Sequence, residues 1–280
     1  MLKIINRMSS QFDIDKIVDY LIPLKDKLPH SYKWNADLSK LIPLGLLTNE
    51  SVQDLNDLTP YEKEIRLKNL VRAIMVSSMQ NDPQLFDELC AWIVRDWGGI
   101  RAAKEDSLKQ LTKSFLEKRD AKFERIASIS KIAAYLFPEE NIIYDSRVAY
   151  SLNWILLSQD AGKRFFPVPE GRNSKMCAFD INVLIRLKYV DFYLPNSSEG
   201  FKSQKKFISK VDKKLFMDKD TSYRELNSLI KKVSERLWTD DLEKSTKLYY
   251  TEMLLFSIAD TEIFYDITSS MSSIVQRFKN

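Results

Sequence analysis

Two short runs of the sequence carry side chains suited to chemistry at the openings of apolar, helix-forming stretches. In Ser130-Lys131-Ile132-Ala133 a lysine enters one such stretch, and in Tyr144-Asp145-Ser146-Arg147 an aspartate opens the next, 145 − 131 = 14 residues later. Taken alone, the carboxylate reads as an N-cap worth about 1 kcal/mol, placed where the helix dipole favours negative charge. Lys131 alone reads as a phosphate contact or a solvated cation. Other chemistries are poorly supplied. His30 is the only histidine, which excludes the two-histidine zinc motif and any histidine-rich metal site, and its setting, Leu28-Pro29-His30-Ser31-Tyr32, reads as an exposed loop. Cys90 and Cys177 lie far apart in apolar surroundings, so buried free thiols are expected. GxGxxG, GxxxxGK[ST] and CxxC are absent, which removes the common nucleotide and zinc-ribbon readings. The adjacent Glu139 and Glu140, after Pro138, read as a solvated turn, and Asp240-Asp241 as the charged start of a helix.

The elements that must position Lys131 and Asp145 are helices. Only 6 of 280 residues are glycine, no alternating pattern of any length is found, and apolar residues recur at helical spacing, so the fold class is all-α. Thr59-Pro60-Tyr61-Glu62 is a capping box with proline at the first helical position, ahead of a face of Leu67, Leu70, Val71, Ile74 and Met75. Asp82-Pro83 opens a second core helix with the stripe Phe86, Leu89, Cys90, Ile93, Val94 and Trp97, ended by Gly98-Gly99. Further helices are expected over Ser107 to Leu116, Ala121 to Leu136, from Tyr144 or Asp145 onward (Val148, Ala149, Leu152, Ile155 and Leu156 inward), Ala178 to Leu187, a Ser222-capped helix to Trp238, and Asp241 to Ile258. A polar, serine-rich tail closes the chain. The loop Phe166 to Asn173 is the richest turn segment and the best candidate for a boundary or an active-site loop. The whole is expected to be one domain, 1–280, with subdomains 1–100 plus 175–280 and 101–174.

The succession from Ala127 to Leu157 resembles the core of a helix-hairpin-helix DNA glycosylase, of the 8-oxoguanine branch and the bacterial proteins sharing its fold. In that family a hairpin enters a helix beginning [TR]-K-x-A, and a loop then reaches a helix opening V-D-[TVG]-[HN]. Ser130 to Ala133 and Tyr144 to Arg147 take those two places. The resemblance implies two helical subdomains flanking a DNA-binding cleft, and release of a modified or damaged base to leave an abasic site. Asp145 would stabilise the oxocarbenium-like sugar or activate an attacking group, and Lys131 would be the lysine that forms a Schiff base in bifunctional members. Two departures stand out: the separation of 14 residues is shorter than the family shows, and Arg125-Ile126-Ala127-Ser128-Ile129-Ser130 lacks the Gly-x-Gly whose amides bind phosphate. Arg125, Ser130, Ser146 and Arg147 would contact DNA through side chains instead. These departures lean toward a divergent, defence-type role on modified phage DNA.

An extruded base needs an aromatic or apolar pocket. Trp34, in a loop-like polar setting, and the Arg172-Asn173 turn are the candidates, while the other tryptophans read as packing. The expected partner is double-stranded DNA carrying the altered base, with no metal, no organic cofactor and no membrane, bound by a monomer. Charge agrees in distribution: Arg101 to Lys219 has 23 Lys/Arg against 15 Asp/Glu, 23 − 15 = +8, whereas Trp238 to Asn280 has 4 against 7. A basic segment of this kind suits a polyanion. It also suits the competing reading, a non-catalytic helical module that binds nucleic acid or protein, with Asp145 only a cap. Without a run approaching ~20 apolar residues or a leader-like N-terminus, the chain is expected to be cytoplasmic.

Overall fold

Helix starts in this chain are marked by side chains that accept the first free N–H groups, and most can be followed from cap to cap. The computed structural model describes residues 11–170 and 173–277, with side chains through residue 271. Asp13 caps α1 (Ile14–Lys25), which is followed by the single turn α2 (Leu28–Ser31). His30 is exposed, as expected, but on this turn of helix rather than on a loop. An irregular segment, residues 32–38, then leads through a 3-10 turn to α3 (Asn49–Asn56).

The capping box at Thr59 opens α4 (Pro60–Asn81), and Asp82 caps α5 (Pro83–Trp92). The expected stripe of α5 is buried from Phe86 to Trp97, but its last five residues, Ile93–Trp97, form a π-helical turn. α6 (Glu105–Lys118) ends on Arg119 in a left-handed conformation. The next helix was expected from Ala121; instead Phe123–Arg125 is a 3-10 turn, and α7 spans Ile126–Leu136. Asp145 caps α8 (Ser146–Ser158), whose Val148, Ala149, Leu152, Ile155 and Leu156 are all buried.

The second half departs more from expectation. Ala178 to Leu187 is broken by Phe179-Asp180 into α9 (Ser174–Ala178) and α10 (Ile181–Lys188), because Asp180 caps a new start. α11 (Ser198–Lys202) and the lysine-rich α12 (Gln204–Leu215) follow. α13 runs Lys219–Leu237 with Asp218, not Ser222, as its cap; the Ser222 hydroxyl is turned inward onto the Lys219 carbonyl. The expected last helix is two, α14 (Leu242–Thr246) and α15 (Tyr249–Ile258), and where a polar tail was expected α16 spans Glu262–Arg277.

The described residues contain isolated bridges, Phe12 with Gly162 and Phe165 with Phe216, and otherwise helices and loops. The protein is all-α. One contiguous apolar core runs from Ile17 to Ile267. α8 and α15 pack along each other at its centre, α7 packs on α4 and α6, and α13 is laid against α1 and α15. No helix among the described residues is long and apolar enough to cross a membrane.

Candidate functional site

Lys131 and Asp145 line one small cavity, together with Tyr32, Trp34, Trp97, Gly98, Ile143, Glu252 and Phe256. Five stretches of chain meet there, and each is held by interactions that can be named. The segment from Asn141 to Asp145 is irregular, with the Asp145 N–H donating to the Ile143 carbonyl at 3.0 Å, and is fastened on both sides. Asn227 accepts the Ile142 N–H at 3.0 Å, the Tyr223 hydroxyl donates to the Ile142 carbonyl at 3.0 Å, and Ser130 Oγ accepts the Tyr144 N–H at 3.0 Å. Asp145 is thereby presented at the head of α8, where one carboxylate oxygen accepts the Arg147 N–H at 2.8 Å.

Lys131 is not a solvated lysine. Its side chain is only 6% exposed, and Nζ donates to the Ala127 carbonyl of the preceding turn at 2.7 Å. Burial pushes its pKa below the ordinary lysine value; Asp145 and Glu252 oppose that shift, and the Lys68 cation adds to it. The stem of Lys131 runs past Gly98, where a Cβ would lie 2.7 Å from Lys131 Cδ and Cε and from the Ile93 carbonyl oxygen. Only glycine leaves that passage open. The π turn before it widens α5 so that Trp97 lies on the cavity wall while its Nε1 donates to Glu64 Oε2 at 3.0 Å.

Aromatic rings enclose the cavity. Trp34 meets Trp97 edge-on with centroids 6.0 Å apart and Phe256 at 6.2 Å, and Tyr32 packs on Phe256 at 6.1 Å. The segment bearing Trp34 is tied down by the buried Lys63, whose Nζ donates to Asn35 Oδ1 at 2.7 Å, to Asn56 Oδ1 at 2.7 Å and to the Ala36 carbonyl at 3.1 Å. Trp34 Nε1 itself is buried without a partner.

Behind the cavity lies a cluster of charge. Lys68 Nζ is 3.2 Å from Glu64 Oε1, both side chains almost fully buried, and it stands over the rings of Tyr135, Trp97 and Tyr249 at 4.6, 5.0 and 5.5 Å. Glu252 on α15 belongs to the same cluster and lines the cavity; burial pushes its carboxyl up to about 7, against the opposing pull of Lys68. No family model matches the chain, and no curated protein or solved structure does either.

The remaining sequence candidates fall in different places. Ser130 is fully buried with its hydroxyl committed to the Tyr144 N–H, so it positions the Asp145 loop and offers no surface for a phosphate. Arg147 is partly exposed, lies over the Phe256 ring at 4.7 Å and pairs with Asp260 at 3.9 Å, while Ser146 is the partly exposed first residue of α8. Arg125 is exposed in a shallow groove beside Lys104, Ser107 and Ala127, next to the first turn of α7. Asn173 caps α9 and donates to Asp260, away from the cavity lining; Arg172 lies outside the described residues. Cys90 is buried as expected, but Cys177 is exposed on the short α9. Among the described residues no group of three or more His, Cys, Asp or Glu side chains could hold a metal ion.

Sequence reasoning missed Tyr32, Trp97, Gly98, Ile143, Glu252 and Phe256 as site residues. For Glu252 a signal existed: it is the one acid within the otherwise apolar and small polar run Tyr249–Ile258, and nine of those ten residues are buried.

Proposed function

We propose that the protein is a DNA glycosylase that hydrolyses the N-glycosidic bond of a modified or damaged base, leaving an abasic site. One observation carries the reading: Lys131 and Asp145 border a single cavity walled by Tyr32, Trp34, Trp97 and Phe256. Aromatic walls suit a flipped base, and a carboxylate and an amine suit a sugar carbon that gains positive charge as its bond to the base lengthens. Asp145 faces that charge as stabiliser or as base toward water. Lys131, driven by burial toward the free amine, is the nucleophile if the enzyme also acts as a lyase.

The cavity holds about 50 Å³, room for a few waters and far below the roughly 300 Å³ at which ligand pockets begin. Admission of a base therefore requires a wall to move. Trp34, like Tyr32, is a wall on irregular chain, and its indole N–H has no partner to lose. DNA would approach over Arg125, Lys104 and Arg147, contacts that position a duplex without reading its sequence.

Duplexes carrying a panel of altered bases, and modified phage genomic DNA, are the substrates to assay for abasic sites. Asp145→Asn is expected to retain DNA binding and to lower base release by at least 10²-fold, the scale for removing one electrostatic stabiliser. Borohydride is expected to trap wild type but not Lys131→Gln if the amine attacks. Release from none of these DNAs refutes the proposal.

A further inference from the structure

Glu252 lines the cavity beside Lys131 and Asp145, and it is the most anomalous group there. Its side chain is 4% exposed, Oε2 has no hydrogen-bond partner, and it shares the cavity with Asp145 and Lys131. The two carboxyls sit in different surroundings, although a backbone N–H acts on each, that of Ile143 on Glu252 and that of Arg147 on Asp145. Asp145 heads a helix and accepts a backbone N–H, where negative charge is favoured. Glu252 lies mid-helix on α15, inside the core. Lys68, the cation nearest in effect, is already paired with Glu64 and enclosed by three rings. Titratable groups acting on or acted on by Glu252 come from every side: Glu64 and Lys68 from α4, Lys131 and Tyr135 from α7, Asp145 at α8, Tyr223 from α13, and Tyr32 from the Trp34 segment. A carboxyl enclosed in the core and a carboxyl at a helix head suit different tasks, the first giving up a proton and the second facing positive charge.

We infer that Glu252 is the acid of this site, giving its proton to the nitrogen of the departing base while the Asp145 carboxylate faces the sugar. The inference rests on the glycosylase reading. The C1′–N bond breaks with its electron pair going to the base nitrogen, which takes the Glu252 proton and leaves as a neutral base. Water then adds at C1′ and passes a proton to the Glu252 carboxylate, restoring the starting state. Near neutral pH burial keeps a large share of this carboxyl protonated, since its pKa is pushed up to about 7. The substrate class follows: bases that would otherwise leave as anions need this proton, whereas a base already cationic does not.

The test uses the full-length protein in two measurements. With ¹³C-labelled glutamate, the carboxyl resonance missing in Glu252→Gln is expected to titrate near pH 7; titration in the ordinary glutamate range overturns the assignment whatever the substrate. In single-turnover assays on duplexes bearing 8-oxoguanine or 7-methylguanine, Glu252→Gln is expected to slow release of the neutral 8-oxoguanine on the order of 10²-fold. Release of the cationic 7-methylguanine is expected to be nearly unaffected, which also shows that the variant is folded. Equal losses on both duplexes overturn the acid role. If 8-oxoguanine alone is released, the wild-type rate is expected to fall above pH 7 and the variant to lack that limb; a shared limb overturns the role. Release of neither base, with Glu252 still titrating near 7, overturns the leaving-base role, while the glycosylase reading stands or falls on the wider panel of altered bases.

Discussion

Replacing Lys68 by methionine tests the charge cluster most directly. Methionine keeps the length of the stem, so the perturbation is loss of charge rather than creation of a void. The wild-type ammonium is 3.2 Å from Glu64 Oε1, with the two side chains 5% and 2% exposed, and lies over three aromatic rings. Removing one partner of a pair buried this deeply leaves an uncompensated charge and costs about 3–5 kcal/mol. The cation–π contacts are contained in that figure, because they vanish with the same charge. The loss is pH-dependent. Lys68 is the chief influence holding the Glu252 carboxyl down, so without it the Glu252 pKa rises above its present value of about 7. A carboxyl raised in the folded state contributes stability that is complete below its unfolded value of about 4.5 and is lost as pH rises through the folded value. The deficit of Lys68→Met relative to wild type is therefore smallest near pH 5 and largest near pH 8. Urea unfolding of both proteins at the two pH values measures it. A cost below ~1 kcal/mol at pH 8, or the same cost at both pH values, would refute the reasoning; adding Glu64→Gln to Lys68→Met is expected to recover part of the loss, since both charges of the pair are then gone.

Two smaller changes test how Asp145 and Lys131 are held. Ser130→Ala removes the acceptor of the buried Tyr144 N–H and is expected to cost about 1–3 kcal/mol, with faster hydrogen exchange at the Tyr144 amide; unchanged exchange would show that the hydroxyl does not fasten the loop. Gly98→Ala puts a methyl 2.7 Å from the Lys131 stem and from the Ile93 carbonyl. The stem can swing aside and the carbonyl cannot, so a loss of about 1–3 kcal/mol is expected with a changed rate of Lys131 reductive methylation, and wild-type values in both measurements would refute the close approach.

The helical class and the first half of the molecule were legible in the sequence because their signals are local. Thr59 and Glu62 cap α4 as their spacing predicts, Asp82-Pro83 opens α5, and Asp145 takes the head of α8. Starts were misplaced where two capping residues competed. Asp218 caps α13 although Ser222 and Glu225 have capping-box spacing, and Asp180 restarts a helix within a pattern that reads as continuous. Cys177 has apolar neighbours in sequence, but on a helix as short as α9 they do not dictate which side is covered. A third of the site was legible for the same reason: Lys131, Asp145 and Trp34, of nine lining residues, were visible from type and setting. Glu252 and Phe256 come from α15, more than a hundred residues after Asp145, and are brought there by packing of α15 along α8. No local pattern encodes that meeting.

The cluster behind the cavity is not an economical way to stabilise a fold. Glu64, Lys68, Lys131 and Glu252 are each at most 6% exposed, and apolar residues of similar size would commonly do as well or better in such places. A hydrophobic replacement would, however, remove what their burial creates: an amine shifted toward its free form and a carboxyl shifted toward its protonated form, bordering the same space as a capping aspartate. Each of the two shifts is caused chiefly by desolvation, so each depends on bulk water staying outside the small cavity walled by Trp34, Trp97 and Phe256. If Trp34 swings out to admit a base, the stacked base must take over the exclusion of water, and the two groups keep their shifted states only while a close-fitting ligand is in place. Selection by fit and readiness for proton transfer are then the same property of the site.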